Sequence, residues 1–323
     1  MKIAFNTGVP AAGNLMAKLR QLGFETCSLS DIAAADLVVL INPRVAELRA
    51  AKLMNKERRI LVCLEPPSVL PYLYKRRVIE KFQRVFVQSP LYAKHPNQSV
   101  WQHGYFEADL EPIRRPSRQL SAAMVNANKT SFNPGSLYHL REVLALKITN
   151  SLDLNLYGRG WGQSLWASLL DAFKELLVTV LKQQTIPLVS QFSLRNKLRL
   201  RRLWLGEVFS ACQAYSESHF ALVVENDYGY FSEKIFNALQ AGSLPIFVGQ
   251  EPLADEELER CIFRLSGEVD LISTQKVTLR EIAQRRANWK IYREQAFEFH
   301  NPDAGWLRLA LQVQTSISSQ EFA

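Results

Sequence analysis

No stretch of the 323-residue chain stays apolar for the roughly 18 residues that a membrane-spanning helix needs, and its start, MKIAFNTG, lacks the apolar core of a secretion signal. That opening reads as a first strand, so neither a signal peptide nor a transmembrane span is expected. Cysteine is sparse. Cys27, Cys63, Cys212 and Cys261 are scattered, without CxxC spacing or a nearby histidine. Such spacing argues against a metal site or a disulfide framework and for a reduced, cytoplasmic setting. Internal repeats and low-complexity tracts are absent as well.

Negative charge is missing from one region. Residues 176–206 contain no acid, while Lys182, Arg195, Lys197, Arg199, Arg201 and Arg202 supply most of the chain's net charge of +8. Leu194, Leu198, Leu200, Leu203, Trp204 and Leu205 interleave with them. A basic apolar mixture over 182–205 fits peripheral contact with an anionic membrane surface, such as the inner face of the cell membrane. It fits equally a solvated helix whose leucines pack inward. No recognised nucleic-acid module accompanies the charge, so nucleic acid is not an expected partner.

What is present is ordinary for a globular protein: 47% hydrophobic and 22% charged residues. The length suits two domains of about 150 residues, each with its own core. Residues 2–5, 36–41, 60–64 and 84–87 read as buried strands, with helices at 14–22 and 44–56. Strands alternating with helices imply a parallel sheet covered on both faces. Residues 106–118, with Pro112 and Pro116, read as a linker. A second αβ series follows: helix 137–148, strand 152–156, a Gly158–Arg159–Gly160 loop and a long helix 164–184. The expected domains are therefore 1–118 and 119–323. A helix at 279–297 is expected to reach back to the first domain.

The most specific segment runs from Phe220 to Gly249, FALVVENDYGYFSEKIFNALQAGSLPIFVG. An apolar strand ends at Glu225–Asn226, a short Asp/Tyr/Gly loop follows, Ser232–Glu233–Lys234 opens a helix that closes at Gly242, and 244–248 forms a second buried strand. This is a βαβ unit, whose strand carboxyl ends and helix amino ends line the ligand crevice. Glu225, Asn226, Glu233 and Lys234 fall at that edge, where a ligand carrying hydroxyls and phosphate would suit them.

EN, an aromatic/Gly loop, SEK and A-x-x-AG-x-x-P-I-x-x-G resemble the donor-site signature of the family 10 glycosyltransferases, the α1,3/α1,4-fucosyltransferases. Glu225, Asn226, Tyr230, Ser232, Glu233, Lys234, Ala238, Ala241, Gly242, Pro245 and Gly249 carry it. Asp227 stands where the family usually has Ser, and the loop is about two residues shorter than in many members. The stretch from Ser131 to Arg141, followed by Leu156–Tyr157–Gly158–Arg159–Gly160, is similar to the family's S…LYxxR…YGRG arrangement. The resemblance covers mainly the C-terminal half. It implies an α/β, GT-B-like fold, with two Rossmann-like domains facing across a cleft and no metal or other cofactor required.

On that resemblance, Lys234 and Arg141 meet the donor diphosphate: Lys234 as a point charge at a helix start, Arg141 as a guanidinium that can grip phosphate bidentately. Glu233, Glu225 and Asn226 bind ribose, base or sugar hydroxyls, and Tyr230 packs on the nucleotide. Arg159 is a weaker donor-side candidate. Glu65, at the end of strand 60–64 and before Pro66–Pro67, resembles the family's E-[SP]-P segment and its proposed base. A half-buried carboxylate there suits general-base work. His103, in Trp101–Gln102–His103–Gly104, is the backup base. The implied reaction is inverting transfer of fucose from GDP-fucose to a glycan hydroxyl, with an α1,3-type linkage. Another nucleotide-sugar donor, GDP-mannose or a UDP-sugar, stays open, as does a non-catalytic glycan-binding relative.

Overall fold

Strands joined through helical crossovers pair in parallel, because the crossover returns the chain to the same end of the sheet. A computed structural model of the protein describes residues 1–101, 103–104, 120–131, 133–162, 194–249, 253, 255–265 and 279–318. The expected linker, the expected helix 164–184 and residues 182–193 of the basic segment lie outside the described residues. The chain divides into two compact units, Met1–Phe106 with Phe297–Ala323, and Glu107–Ala296.

The first unit holds β1 (Lys2–Phe5), β2 (Glu25–Ser28), β3 (Leu37–Ile41), β4 (Arg59–Cys63), β5 (Arg84–Val87) and β6 (Gln98–Val100). Their spatial order is β2-β1-β3-β4-β5-β6, and every pairing is parallel. Apolar side chains alternate between two cores. Ile3, Phe5 and Val39 join Trp306, Leu309 and Val313 on one face, and Ala4, Val38 and Leu61 join Leu73 and Phe82 on the other. The expected helix 44–56 is a shorter helix, Val45–Ala50, continued by 3-10 turns at Ala51–Leu53 and Lys56–Arg58.

The C-terminal region contains one more helix than expected. Leu279–His300 ends, and a separate helix, Pro302–Ser318, begins. Proline explains the break, since it disfavours helical geometry in the residue before it and suits the first position of the next helix. Asn301 Oδ1 caps the new helix by accepting from Asp303 N at 2.8 Å. This helix lies in the first unit against helix Pro10–Gln21. Trp101 Nε1 donates to Gly305 O at 2.9 Å, and the ring of His103 sits 4.8 Å from that of Trp306. Burial, reinforced by the Arg308 charge, lowers the His103 pKa to about 4.

The second unit holds β7 (Ser121–Val125), β8 (Asp153–Tyr157), β9 (Phe220–Val224), β10 (Leu244–Val248) and β11 (Phe263–Arg264). The order is β11-β10-β9-β7-β8, again all parallel. Every residue of β9 and β10 is buried, as continuous apolar runs require when both faces are covered. Helix Lys234–Gln240 stops at Gly242, whose φ of +78° suits glycine. Gly242 N donates to Leu239 O and Ser243 N to Ala238 O, closing the last turn.

Trp306→Ala should cost about 3–5 kcal/mol, because the cavity it leaves is central to the first core. Leu307→Ala, on the exposed side of the same helix, should cost under about 0.5 kcal/mol; urea midpoints compare the two. A second prediction concerns pH. His103 is protonated only near pH 4, against 6.5 for an ordinary histidine, so below 6.5 the unfolded chain binds the extra proton. Stability should be complete above about pH 6.5 and fall toward pH 4, and His103→Gln should flatten that decline in denaturant titrations across this range.

Candidate functional site

In a parallel sheet the ligand crevice opens where the strand order reverses, at the carboxyl ends of the two strands whose crossovers leave in opposite directions. In the second unit β8 lies on one side of β7 and β9 on the other, so the switch point falls between β7 and β9. Their backbone pairing covers only Ala122–Phe220 and Ala123–Ala221. Beyond it the strands are bridged by side chains. Asn126 Nδ2 donates to Val224 O at 2.9 Å. Arg141, from helix Tyr138–Ile148, reaches across both strand ends. One terminal nitrogen donates to Ala127 O at 2.7 Å, and the other to Asn226 Oδ1 at 2.7 Å and to Val224 O and Glu225 O at 3.3 Å.

Arg141 is only 1% exposed. Its acceptors are carbonyl and amide oxygens, and among the described residues its Nε–H has no hydrogen-bond partner. Burial lowers its pKa to about 10, with Tyr138, Glu225 and Tyr215 pulling the other way, so it keeps its charge at neutral pH. The guanidinium also lies 4.4 Å from the centre of the Tyr138 ring. Its terminal donors are held by protein oxygens in this structure. It therefore presents a fixed positive charge at the switch point.

Glu225, at the end of β9, is fully buried. A carboxylate there would cost several kcal/mol without partners. Lys234 Nζ donates to it at 2.9 Å, Ser232 N donates at 2.9 Å, and the Ser232 hydroxyl lies 2.8 Å from the nearer oxygen. Lys234 Nζ also donates to Ser232 Oγ at 2.9 Å. Ser232 therefore serves Glu225 instead of capping the helix, whose first turn begins after the exposed Glu233.

The loop between Asn226 and Ser232 is fixed to the segment that precedes Arg141. Leu137 N donates to Asn226 O, Tyr228 N donates to Gly135 O at 2.8 Å, and Ser136 pairs with Asp227. A side chain at position 135 would lie 2.7 Å from Asp227 Oδ1, so the glycine makes room for the aspartate that departs from the family pattern. Tyr230, within this loop, is buried, and its N donates to Asp227 O at 3.1 Å.

The structure thus brings Arg141, Glu225, Asn226, Tyr230, Glu233 and Lys234 to one edge of the second unit. Arg159 stands apart from that cluster's hydrogen bonds: it is exposed and its Nε donates to Glu207 at 2.8 Å. Asn126 escaped the sequence reading. Its signal is an asparagine directly after an apolar strand that opens an αβ series. The first unit repeats the device, since Asn6 after β1 exchanges two 2.8 Å hydrogen bonds with the Ile41 backbone across the β1/β3 switch point.

Glu65 lies in the first unit, two residues beyond β4, and is half-buried. Its backbone is held on both sides: the Glu65 carbonyl accepts from the Tyr74 hydroxyl at 2.7 Å, and Asn42 Oδ1 accepts from Leu64 N at 2.8 Å. His103, whose proton affinity is low, is wedged among the rings of Trp101 and Trp306. In the basic segment, helix Leu194–Leu203 turns Leu200 into the second core, with Leu203 and Trp204 against it. Lys197 pairs with Glu142 at 2.6 Å, and Arg195, Arg199, Arg201 and Arg202 are exposed. No helix among the described residues is long and apolar enough to cross a membrane, and no group of three or more His, Cys, Asp or Glu among them could hold a metal.

No family model and no curated protein sequence matches the chain. Solved structures do. Anabaena HepE in complex with UDP-glucose aligns with a TM-score of 0.56 and 14% identity over 98% of this chain and 100% of that one. A glycosyltransferase from Rickettsia africae aligns at 0.52 and 15% identity over 95% and 82%. The fold is GT-B-like. An α1,3-fucosyltransferase aligns at 0.45 and 12% identity over 96% and 81%, a likeness too slight to bear on the assignment. At these identities the GT-B-like match speaks for the architecture and leaves the chemistry to the residues.

Lys234→Met should destabilise the second unit by about 3–5 kcal/mol, because it strands a buried carboxylate. Lys234→Met combined with Glu225→Gln should recover at least half of that loss. A double-mutant cycle on denaturant midpoints measures the coupling.

Proposed function

We propose that the protein is an inverting glycosyltransferase that moves fucose from GDP-fucose to a glycan hydroxyl in an α1,3-type linkage. The observation that carries this reading is the convergence of Arg141, Asn226, Glu225 and Lys234 on the β7/β9 switch point of a GT-B-like fold. Those are the residues through which the chain resembles the family 10 enzymes. In the proposed step Glu65 takes the proton of the acceptor hydroxyl. The acceptor oxygen then bonds to the sugar C1 as the C1–O bond to the diphosphate breaks, and the bonding pair leaves with GDP. Attack from the opposite face converts a β-linked donor into an α-linked product. Arg141 and Lys234 contribute fixed positive charge near the leaving group, and exposed Glu233 is free to accept from donor hydroxyls. Glu65 is preferred to His103 as base because the His103 ring is packed against the rings of Trp101 and Trp306.

A UDP-sugar donor is the second reading, favoured by the Anabaena protein's complex with UDP-glucose. Calorimetric titration of the full chain with GDP-fucose, GDP-mannose, GDP and UDP-glucose separates the two without a known acceptor. GDP-fucose should bind tightest, and Glu233→Ala should weaken it about tenfold, the worth of one charged hydrogen bond. Tightest binding of UDP-glucose would replace the fucosyl reading, and binding of none would remove both. Glu65→Gln should leave donor affinity within about twofold and slow GDP release on a glycan acceptor mixture by about 10²–10⁴.

A further inference from the structure

Between helix Val45–Ala50 and the segment carrying the turn Pro71–Tyr74 and helix Arg76–Ile79, the first unit contains a cavity of about 240 Å³. Its floor is apolar, with Leu48, Ala51 and Phe82 among its residues. Six cations surround that floor, Arg49, Lys52, Arg59, Lys75, Arg77 and Lys81, and no carboxylate lines it. Among the described residues none of the six forms an ion pair. Arg59 donates instead to backbone carbonyls on both walls, to Met54 O and Lys52 O on one side and to Lys81 O at 3.3 Å on the other. The acids on the same elements are engaged elsewhere. Glu80 pairs with Arg76 at 2.6 Å, and Glu47 accepts from Arg44 N at 2.6 Å.

We propose that this face of the first unit docks on an anionic lipid bilayer, its cationic rim meeting phosphate headgroups and its apolar floor meeting the upper acyl region. Cations that form no ion pair, with only the charge of Glu57 acting on Arg59, suit an amphiphilic anion when they surround an apolar recess. Two further apolar residues favour a bilayer over a soluble anion. Val45, which lines the recess, is 53% exposed, and Leu53, next to Lys52, is 82% exposed. A free phosphate has no use for either. The surface is separate from the basic helix Leu194–Leu203 of the second unit and from the residues assigned to the donor, so neither the proposal nor its test depends on the sugar chemistry.

The test is co-sedimentation of the full chain with vesicles of phosphatidylcholine alone and with one-third phosphatidylglycerol. Binding should require phosphatidylglycerol. Lys52→Gln with Arg77→Gln should lower the partition constant about thirtyfold, and Arg49→Gln with Lys81→Gln should do the same, the size expected for two surface cations. Leu53→Ser should weaken binding severalfold, and Arg201→Gln with Arg202→Gln should leave most of it. All of these side chains except Leu53 are exposed cations, so unchanged melting temperatures verify that the variants fold. Absence of binding to the anionic vesicles would overturn the proposal, as would wild-type binding by both cation pairs' variants. Loss in Arg201→Gln/Arg202→Gln alone would assign membrane contact to the other unit. Displacement by millimolar inorganic phosphate, with Leu53→Ser inert, would make the recess a soluble-anion site instead.

Discussion

The candidate site rests on one buried cation. Strands β7 and β9 stop pairing at Ala123 and Ala221, and a parallel sheet that opens at its switch point leaves carbonyls without ladder partners. The Arg141 guanidinium fills that opening, joining Ala127 O, Val224 O, Glu225 O and the Asn226 side chain. An amide or hydroxyl could satisfy one or two of these oxygens. A planar group with several fixed donors satisfies them together. The same placement holds a positive charge at the edge where a parallel sheet receives its ligand.

The neighbouring carboxylate follows a matching logic. Glu225 is fully buried, and Lys234, Ser232 N and the Ser232 hydroxyl all converge on it. Residues that a linear motif presents as separate ligand contacts are first of all one another's partners. The loop they enclose is held by Gly135, Ser136 and Leu137 from the Arg141 side, so the two motif segments form a single body. Such a cluster is preorganised, its charges fixed by the protein's own hydrogen bonds.

Much of the fold was legible along the chain because the central strands are buried on both faces and therefore read as unbroken apolar runs. β1, β5, β9 and β10 begin and end where the residue pattern places them. β2, β6 and β11 escaped notice for the complementary reason. Each is an edge strand of at most four residues, with no fully buried position, so ETCS, QSV and FR carry no apolar signature. The separate helix Pro302–Ser318 was likewise hidden, although Pro302 marks its start and Trp306, Leu309 and Val313 mark its buried face.

By itself the sequence determined the alternation of strand and helix, the parallel character of both sheets and the residues that cluster at the edge of the second unit. Local spacing and residue type suffice for these, since they depend on which groups can be buried and where the backbone can turn. The tertiary structure alone decided what those residues do to one another: that Arg141 bridges two strand ends, that Ser232 serves Glu225 and not the helix, and that six cations from 49 to 81 surround one apolar recess. Those relations join positions tens of residues apart, and hydrogen-bond geometry and burial exist only once the chain has brought them together.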